Sequence, residues 1–242
     1  MRRIWASGGI ASALAGLIIV GQPSLAYAPK TARQEAEVAA AARAIAKCHF
    51  EIEADRIERY LLADPAANAF EKWEDKRSDD CIYKVVKEEG TWTWHRGEGL
   101  RYALAEELVR LRLSGVALAD LDRVAPLPHD RPPYRSKWEN FLSRSEWDAL
   151  PRQKAAAVFL SKMGECVVRS DPAGSRAILE SDPASPAERR AIQSLMPALQ
   201  RCVEKSQTLE FDRASLRGAI ALNFLRLAKA PRLAATIAGA ER

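Results

Sequence analysis

Histidine is nearly absent from this chain, with three in 242 residues, and glycine and aromatic residues are sparse. His49, His95 and His129 stand in no metal-binding or nucleophile-activating pattern. H-E-x-x-H, G-x-S-x-G, a Walker loop, C-x-x-C-H and G-x-G-x-x-G are all missing, so the sequence signals neither a cofactor nor a metal. No block of one charge sign occurs either. Basic and acidic residues, 37 and 32 in number, are interspersed, which argues against a nucleic-acid partner. No cysteine precedes Cys48, which excludes a lipid-modified cysteine near the N-terminus. Abundant alanine beside scarce glycine and aromatics favours helices, and the fold class expected is mainly all-α.

The first residues, MRRIWASGGIASALAGLIIVGQPSLAYAPK, have the order of a secretory signal peptide: a basic start at Arg2 and Arg3, an apolar run from Ile10 to Val20, then small residues. Cleavage after Ala26 is preferred, because the competing Ala26-Tyr27-Ala28 site would leave Pro29 behind the cut. An uncleaved anchor is the rival, but residues 4–21 fall at the short limit of the roughly 20 apolar residues a span needs. Removing residues 1–26 takes away two arginines and lowers the formal charge from +5 to +3. The remainder is long enough for one larger domain or two small ones, with no stable membrane span, in a periplasmic or secreted setting.

An even set of cysteines follows: Cys48, Cys81, Cys166 and Cys202. In an oxidising compartment they should pair, and three connectivities are open. An internal repeat chooses among them. LRYALAEELVRL (100–111) and LRGAIALNFLRL (216–227) are nearly one phrase. Upstream of each stand, in the same order, a cysteine, Asp-Pro (Asp64-Pro65 and Asp182-Pro183), a capping-box spelling (Asn68-x-x-Glu71 and Ser185-x-x-Glu188) and a second cysteine. Two tandem pseudo-repeat units, 27–113 and 151–230, are therefore expected, each with its own bridge: Cys48–Cys81 and Cys166–Cys202. Metal binding by these cysteines lacks C-x-x-C spacing and a recurring histidine.

On a helix, Leu100, Leu104, Leu108 and Leu111 form one apolar stripe, matched by Leu216, Ile220, Phe224 and Leu227. Arg110 and Arg226 suit a helix C-terminus, whereas Arg101 and Arg217 occupy a first turn, the wrong end for a cation. Each needs compensation. Pairing with the recurring acids Asp64 and Asp182 is preferred over a pair of anion sites, because a buried unpaired charge is costly. Glu106 and Glu107 become Leu222 and Asn223 in the second phrase. TWTWHR (91–96) and TLEFDR (208–213) alternate as short extended segments, placing Trp92 and Trp94 opposite Leu209 and Phe211.

Further helices are expected over 31–62, 69–79, 99–113, 173–180, 186–195 and 214–229. Asp171-Pro172 reads as an N-cap and first helical residue, and Pro197 as an interruption. Residues 114–150 read as a proline-rich linker with one or two helical turns, a cap at Ser145-x-x-Asp148, and the aromatics Trp138, Phe141 and Trp147 pinning it. A tail, 231–242, should fray.

This layout, a leader and then two Cys…Asp-Pro…Cys…Leu-Arg-x-Ala units, resembles exported proteins of alphaproteobacteria. The resemblance implies export and duplication, and no activity. The function expected is that of a non-catalytic envelope scaffold or binding module for an envelope protein or polymer, with Trp92, Trp94, Trp138 and Trp147 as binding aromatics. The alternative is a hydrolase of an envelope polymer acting through Glu106 or Glu107 near His95.

Overall fold

A computed structural model of the chain describes residues 17–19, 31–76, 80–85, 97–116, 118, 120–131, 135, 137–203, 208–210 and 212–240. Among them are eight α-helices: α1 (Ala32–Leu62), α2 (Ala69–Lys76), α3 (Asp80–Val85), α4 (Gly97–Arg112), α5 (Arg144–Ser170), α6 (Pro172–Glu180), α7 (Pro186–Arg201) and α8 (Arg213–Ala240). The chain is helical, as its composition demands. Thr31 opens α1 by accepting the Gln34 N–H at 3.2 Å, a side-chain substitute for a missing intrahelical acceptor. The helix breaks once, at Glu53, whose φ of −151° and ψ of 42° are non-helical. The Glu53 carboxylate accepts the Trp73 indole N–H at 2.8 Å, so the break is held by α2.

Cys48–Cys81 ties α1 to α3, and Cys166–Cys202 ties α5 to the end of α7, each with Cα atoms 5.7 Å apart. Each closed loop of about 35 residues is worth on the order of 4 kcal/mol by chain entropy. The two bridges divide the chain into two disulfide-bearing halves, α1–α4 and α5–α8. They suit an oxidising, non-cytoplasmic compartment. Among the described residues no helix is long and apolar enough to cross a membrane.

The halves share one core. It runs without a break from Ile45, Ile57 and Leu61 through Leu100, Leu104 and Leu108 to Val167, Ile178, Leu195 and Phe224. At its centre lies α8, where all twelve residues of the second phrase are buried. Helix α4 is less enclosed, and its Leu111 is 56% exposed, yet Glu107 on the same helix is buried and held by Arg110. Helix α8 touches α4 and α5 closely. A Cβ on Gly218 would stand 2.2 Å from the Cβ of Tyr102, and one on Gly164 would stand 2.7 Å from the Ala219 carbonyl oxygen.

Several boundaries differ from the sequence reading. Helix α5 begins at Arg144 and passes through Pro151. Its start is set by Ser143 and Glu146, which form a reciprocal capping box, rather than by Ser145 and Asp148. Helix α7 continues past Pro197, because the Cys202 N–H reaches the carbonyls of Ala198 (3.2 Å) and Leu199 (3.0 Å) and closes the last turn. Helix α8 passes Pro231 to Ala240, where a frayed tail was expected. Asp171 behaves as read: its side chain accepts the Gly174 N–H at 2.8 Å ahead of Pro172. Thr208–Glu210 (β2) is extended, and it pairs in parallel with Leu17–Ile19 (β1). The TWTWHR segment lies outside the described residues.

Candidate functional site

The first half of α1, one side of α4 from Gly99 to Arg110, the start of α8 and the α6–α7 connection enclose a cleft of about 150 Å³ between the two halves of the chain. Its apolar wall is made of Val38, Ala39, Ala42, Ala103, Leu179 and Ala184. Four arginines and five acids also line it: Arg43, Arg110, Arg213 and Arg217, with Glu35, Glu106, Glu107, Glu188 and Asp212. Small side chains keep the space open, since close packing would otherwise fill it.

Arg217 organises the inner end. Its Nε donates to Glu106 Oε2 at 2.6 Å. Nη1 donates to the Ile178 carbonyl (2.6 Å), Ser181 Oγ (3.2 Å) and Glu188 Oε1 (3.3 Å). Nη2 donates to the carbonyls of Leu179 (3.0 Å) and Ser181 (2.8 Å). The guanidinium thus staples the C-terminal end of α6, where orphan carbonyls need donors, to α4 and α7. Glu188, 2% exposed, also accepts the Ala184 N–H at 2.8 Å, while its own N–H goes to Ser185 Oγ at 3.1 Å. The other charges are paired as well. Arg213 meets Glu35, Arg110 meets Glu107 at 2.5 Å, and Asp212 caps α8 by accepting the Ser215 N–H at 2.7 Å.

Two groups stand apart. Arg43 has Asp182 at 3.6 Å as its carboxylate neighbour, and the Asp182 side chain is 86% exposed. Glu106 is hydrogen-bonded through Oε2 alone among the described residues. Burial pushes its carboxyl above the ordinary range, and the opposing pull of Arg217 does not restore it. Glu107, by contrast, is 2% exposed and held by Arg110, so it offers no free acid.

The recurring arginines are paired, but Asp64 and Asp182 are not the partners. Asp64 caps the 3-10 turn Pro65–Ala67 by accepting the Ala66 N–H at 2.8 Å, and Asp182 points to solvent beside Arg43. A short side chain next to a proline turn satisfies its own backbone first. The partners are instead the glutamates of the two capping-box spellings. Glu71 lies 3.3 Å from Arg101, and Glu188 lies 3.3 Å from Arg217. The two positions are unequal, however. Arg101 lacks a partner for Nε, as do Arg131 at Nε and Glu98 at Oε2. Burial, and then the neighbouring charge of Arg131, pull the Arg101 guanidinium below its ordinary pKa. Arg226 does not sit at a helix C-terminus, since α8 continues to Ala240. Its Nη2 donates to the Pro128 carbonyl at 2.6 Å, and burial with the charges of Arg101 and Arg131 pushes it down to about 10.

Sequence reasoning missed one cluster. His129 Nε2 lies 2.6 Å from Glu165 Oε2 and its Nδ1 lies 2.8 Å from Ser161 Oγ; in the neutral ring that donates from Nε2 to the carboxylate, Nδ1 accepts from the serine. Hydroxyl, imidazole and carboxylate in a row have the connectivity of an acyl-transfer triad, and only the i, i+4 spacing of Ser161 and Glu165 hinted at it. The surroundings argue for a clasp. Ser161 is 3% exposed, and the base sits on the strand-like strap that covers it, so uncovering the serine removes the histidine. Glu165 further accepts the Leu127 N–H at 3.1 Å and Arg169 Nε at 2.8 Å, and Arg169 Nη2 reaches the Ala125 carbonyl at 2.9 Å. The clasp fastens the strap, residues 124–131, to α5.

Burial raises the Glu165 carboxyl, but hydrogen bonds from His129, Leu127 and Arg169 outweigh it and hold the group below the ordinary range. A depressed folded pKa gives stability that is present above the unfolded value of about 4.3 and lost as pH falls through the folded one. Hydrogen exchange should therefore show the Leu127 amide losing protection on acidification below about pH 4. Protection that stays unchanged until the whole chain unfolds in acid would contradict this account of the strap.

Of the binding aromatics, Trp147 is 40% exposed and lies under the Arg135 guanidinium at 5.2 Å, away from the cleft lining. Trp92, Trp94 and His95, and the side chains of Trp138 and Phe141, lie outside the described residues. Comparison of the chain with protein-family models, with curated proteins and with solved structures finds no match.

Proposed function

We propose that the chain is an exported, non-catalytic binding module of the cell envelope, periplasmic or secreted, and that the cleft between its halves is the binding site. One observation carries the reading. The cleft is apolar in its wall, and nearly every charge around it is already neutralised by a built-in partner, which is the arrangement of a recognition site rather than of convergent free acids and bases. The leader-like N-terminus, the resemblance to exported alphaproteobacterial proteins and the two disulfides support export. A leader cleaved after Ala26 would leave β2 without its β1 partner in the exported form.

Descent from one doubled helical module belongs to the same reading. It is supported by the recurring arginine–glutamate pairs, by a bridge at the same place in each half, and by the contact of Tyr102 with Gly218. Those two residues hold the same position in their respective phrases, and like meeting like is the mark of a two-fold contact.

The test is occupation of the cleft by a small apolar probe. An apolar cavity of about 150 Å³ is large enough for benzene. Toluene added to 15N-labelled protein should shift the amides of 38–43, 103–107 and 179–184, and Ala103→Leu should abolish those shifts. Shifts that are absent, or that persist unchanged in Ala103→Leu, would refute the reading.

A hydrolase of an envelope polymer is the second reading, favoured by the raised Glu106 carboxyl, a feature common among general acids. Its second carboxylate would have to be Glu188, which is buried on the same arginine. Loss of hydrolysis of a peptidoglycan fragment in Glu106→Gln would establish it, and no hydrolysis by the unaltered protein would dismiss it.

A further inference from the structure

The charges of the cleft specify more than an apolar guest. Five acids face four arginines there, so the lining carries one carboxylate in excess. The pairings locate that excess. Glu35 and Glu107 each have an arginine, and Asp212 caps α8. Glu106 and Glu188 share Arg217. Glu188 spends its second oxygen on the Ala184 N–H, whereas among the described residues Glu106 Oε1 carries no hydrogen bond and can take a donor. The cation left over is Arg43, whose side chain is 32% exposed and whose carboxylate neighbour at 3.6 Å is loosely placed at the surface. Arg43 lies close enough to Glu106 for its charge to act on that carboxyl. An acceptor and a cation therefore line the same apolar space.

We infer that the cleft binds an apolar α-amino acid, with its ammonium on Glu106 Oε1, its carboxylate on Arg43, and its side chain among Val38, Ala39, Ala42 and Ala103. The inference rests on the binding-module reading. A fatty acid has the carboxylate and the chain but no donor for Glu106. An apolar amine has the donor but leaves Arg43 unanswered. Leucine or phenylalanine answers all three features, and its side chain suits the size of the space. An incoming ammonium also favours the ionised form of Glu106, so binding should strengthen as pH rises through the carboxyl's ordinary range and above.

Isothermal titration of the purified protein with L-leucine, L-leucinamide and N-acetyl-L-leucine tests the assignment, with circular dichroism confirming that each variant is folded. Leucine should bind at least tenfold more tightly than either derivative. Arg43→Gln should erase the preference over the amide, and Glu106→Gln the preference over the N-acetyl form. Equal binding of leucine and N-acetyl-leucine would overturn the proposal in favour of a peptide C-terminus. Equal binding of all three would reduce the site to an apolar one and also overturn it. No binding of any of them while toluene still enters would sink the amino-acid assignment alone. Failure of toluene as well would take the binding-module reading with it.

Discussion

Replacing Arg217 by methionine is expected to lower the unfolding free energy by about 3–5 kcal/mol, the usual cost of removing one partner from a buried, hydrogen-bonded ion pair. The arginine is 3% exposed and makes six hydrogen bonds, two to carboxylates and three to carbonyls at the end of α6. Methionine fills similar space and returns none of them. Glu188 would then be buried without its main counter-charge, and the carbonyls of Ile178, Leu179 and Ser181 would lose a donor. The counterpart Arg101→Met is the internal control. Among the described residues Arg101 makes one hydrogen bond, of 3.3 Å, and it sits against the like charge of Arg131. Its replacement should cost less than half as much, because relief of repulsion offsets the loss of Glu71. Urea titration of the two variants decides the matter, and equal losses at the two positions would show that the hydrogen-bond inventory does not govern the energetics.

Gly218→Ala should rank with it, at about 3 kcal/mol or more, the severe end of overpacking. The new methyl would lie 2.2 Å from the Tyr102 Cβ. Neither atom can swing away, since each is fixed to its own helix backbone, so α4 and α8 would have to move apart through the centre of the core. Relief is specific. In a Tyr102→Gly background the same substitution should be nearly free, giving a coupling energy above about 1 kcal/mol between residues in contact. Thermal unfolding of the four proteins of the cycle measures it. Strict additivity would mean that the strain is absorbed elsewhere.

What the sequence made legible follows from how local each signal is. Helix periodicity, the Asp171-Pro172 start and the apolar stripes are decided within a few residues, and they stand in the structure except at Leu111, which is exposed at the end of α4. The disulfide pairing was also readable, because four cysteines allow few choices and the internal echo selected one. Partner choice for Arg101 and Arg217 was not. Recurrence pointed equally to Asp64 with Asp182 and to Glu71 with Glu188, and only the three-dimensional path of each turn shows that Asp64 caps its own backbone while Asp182 faces solvent. Ser161, His129 and Glu165 were invisible for a similar reason. Two of them share a helix face, but the third arrives on a loop whose course no pattern in the chain dictates. Proline was over-read: Pro151, Pro197 and Pro231 all lie inside helices.

Helices α4 and α8 serve both as the middle of the apolar interior and as two sides of the cleft. Whatever settles there is held by the same pair of helices whose separation unfolds the chain. Occupancy and melting are thereby thermodynamically linked: a guest at one hundred times its dissociation constant adds about 2.7 kcal/mol to the folded state. Heat alone thus becomes an assay. A collection of small metabolites can be ranked by how far each one raises the melting temperature, without knowing beforehand which of them the protein meets in the cell.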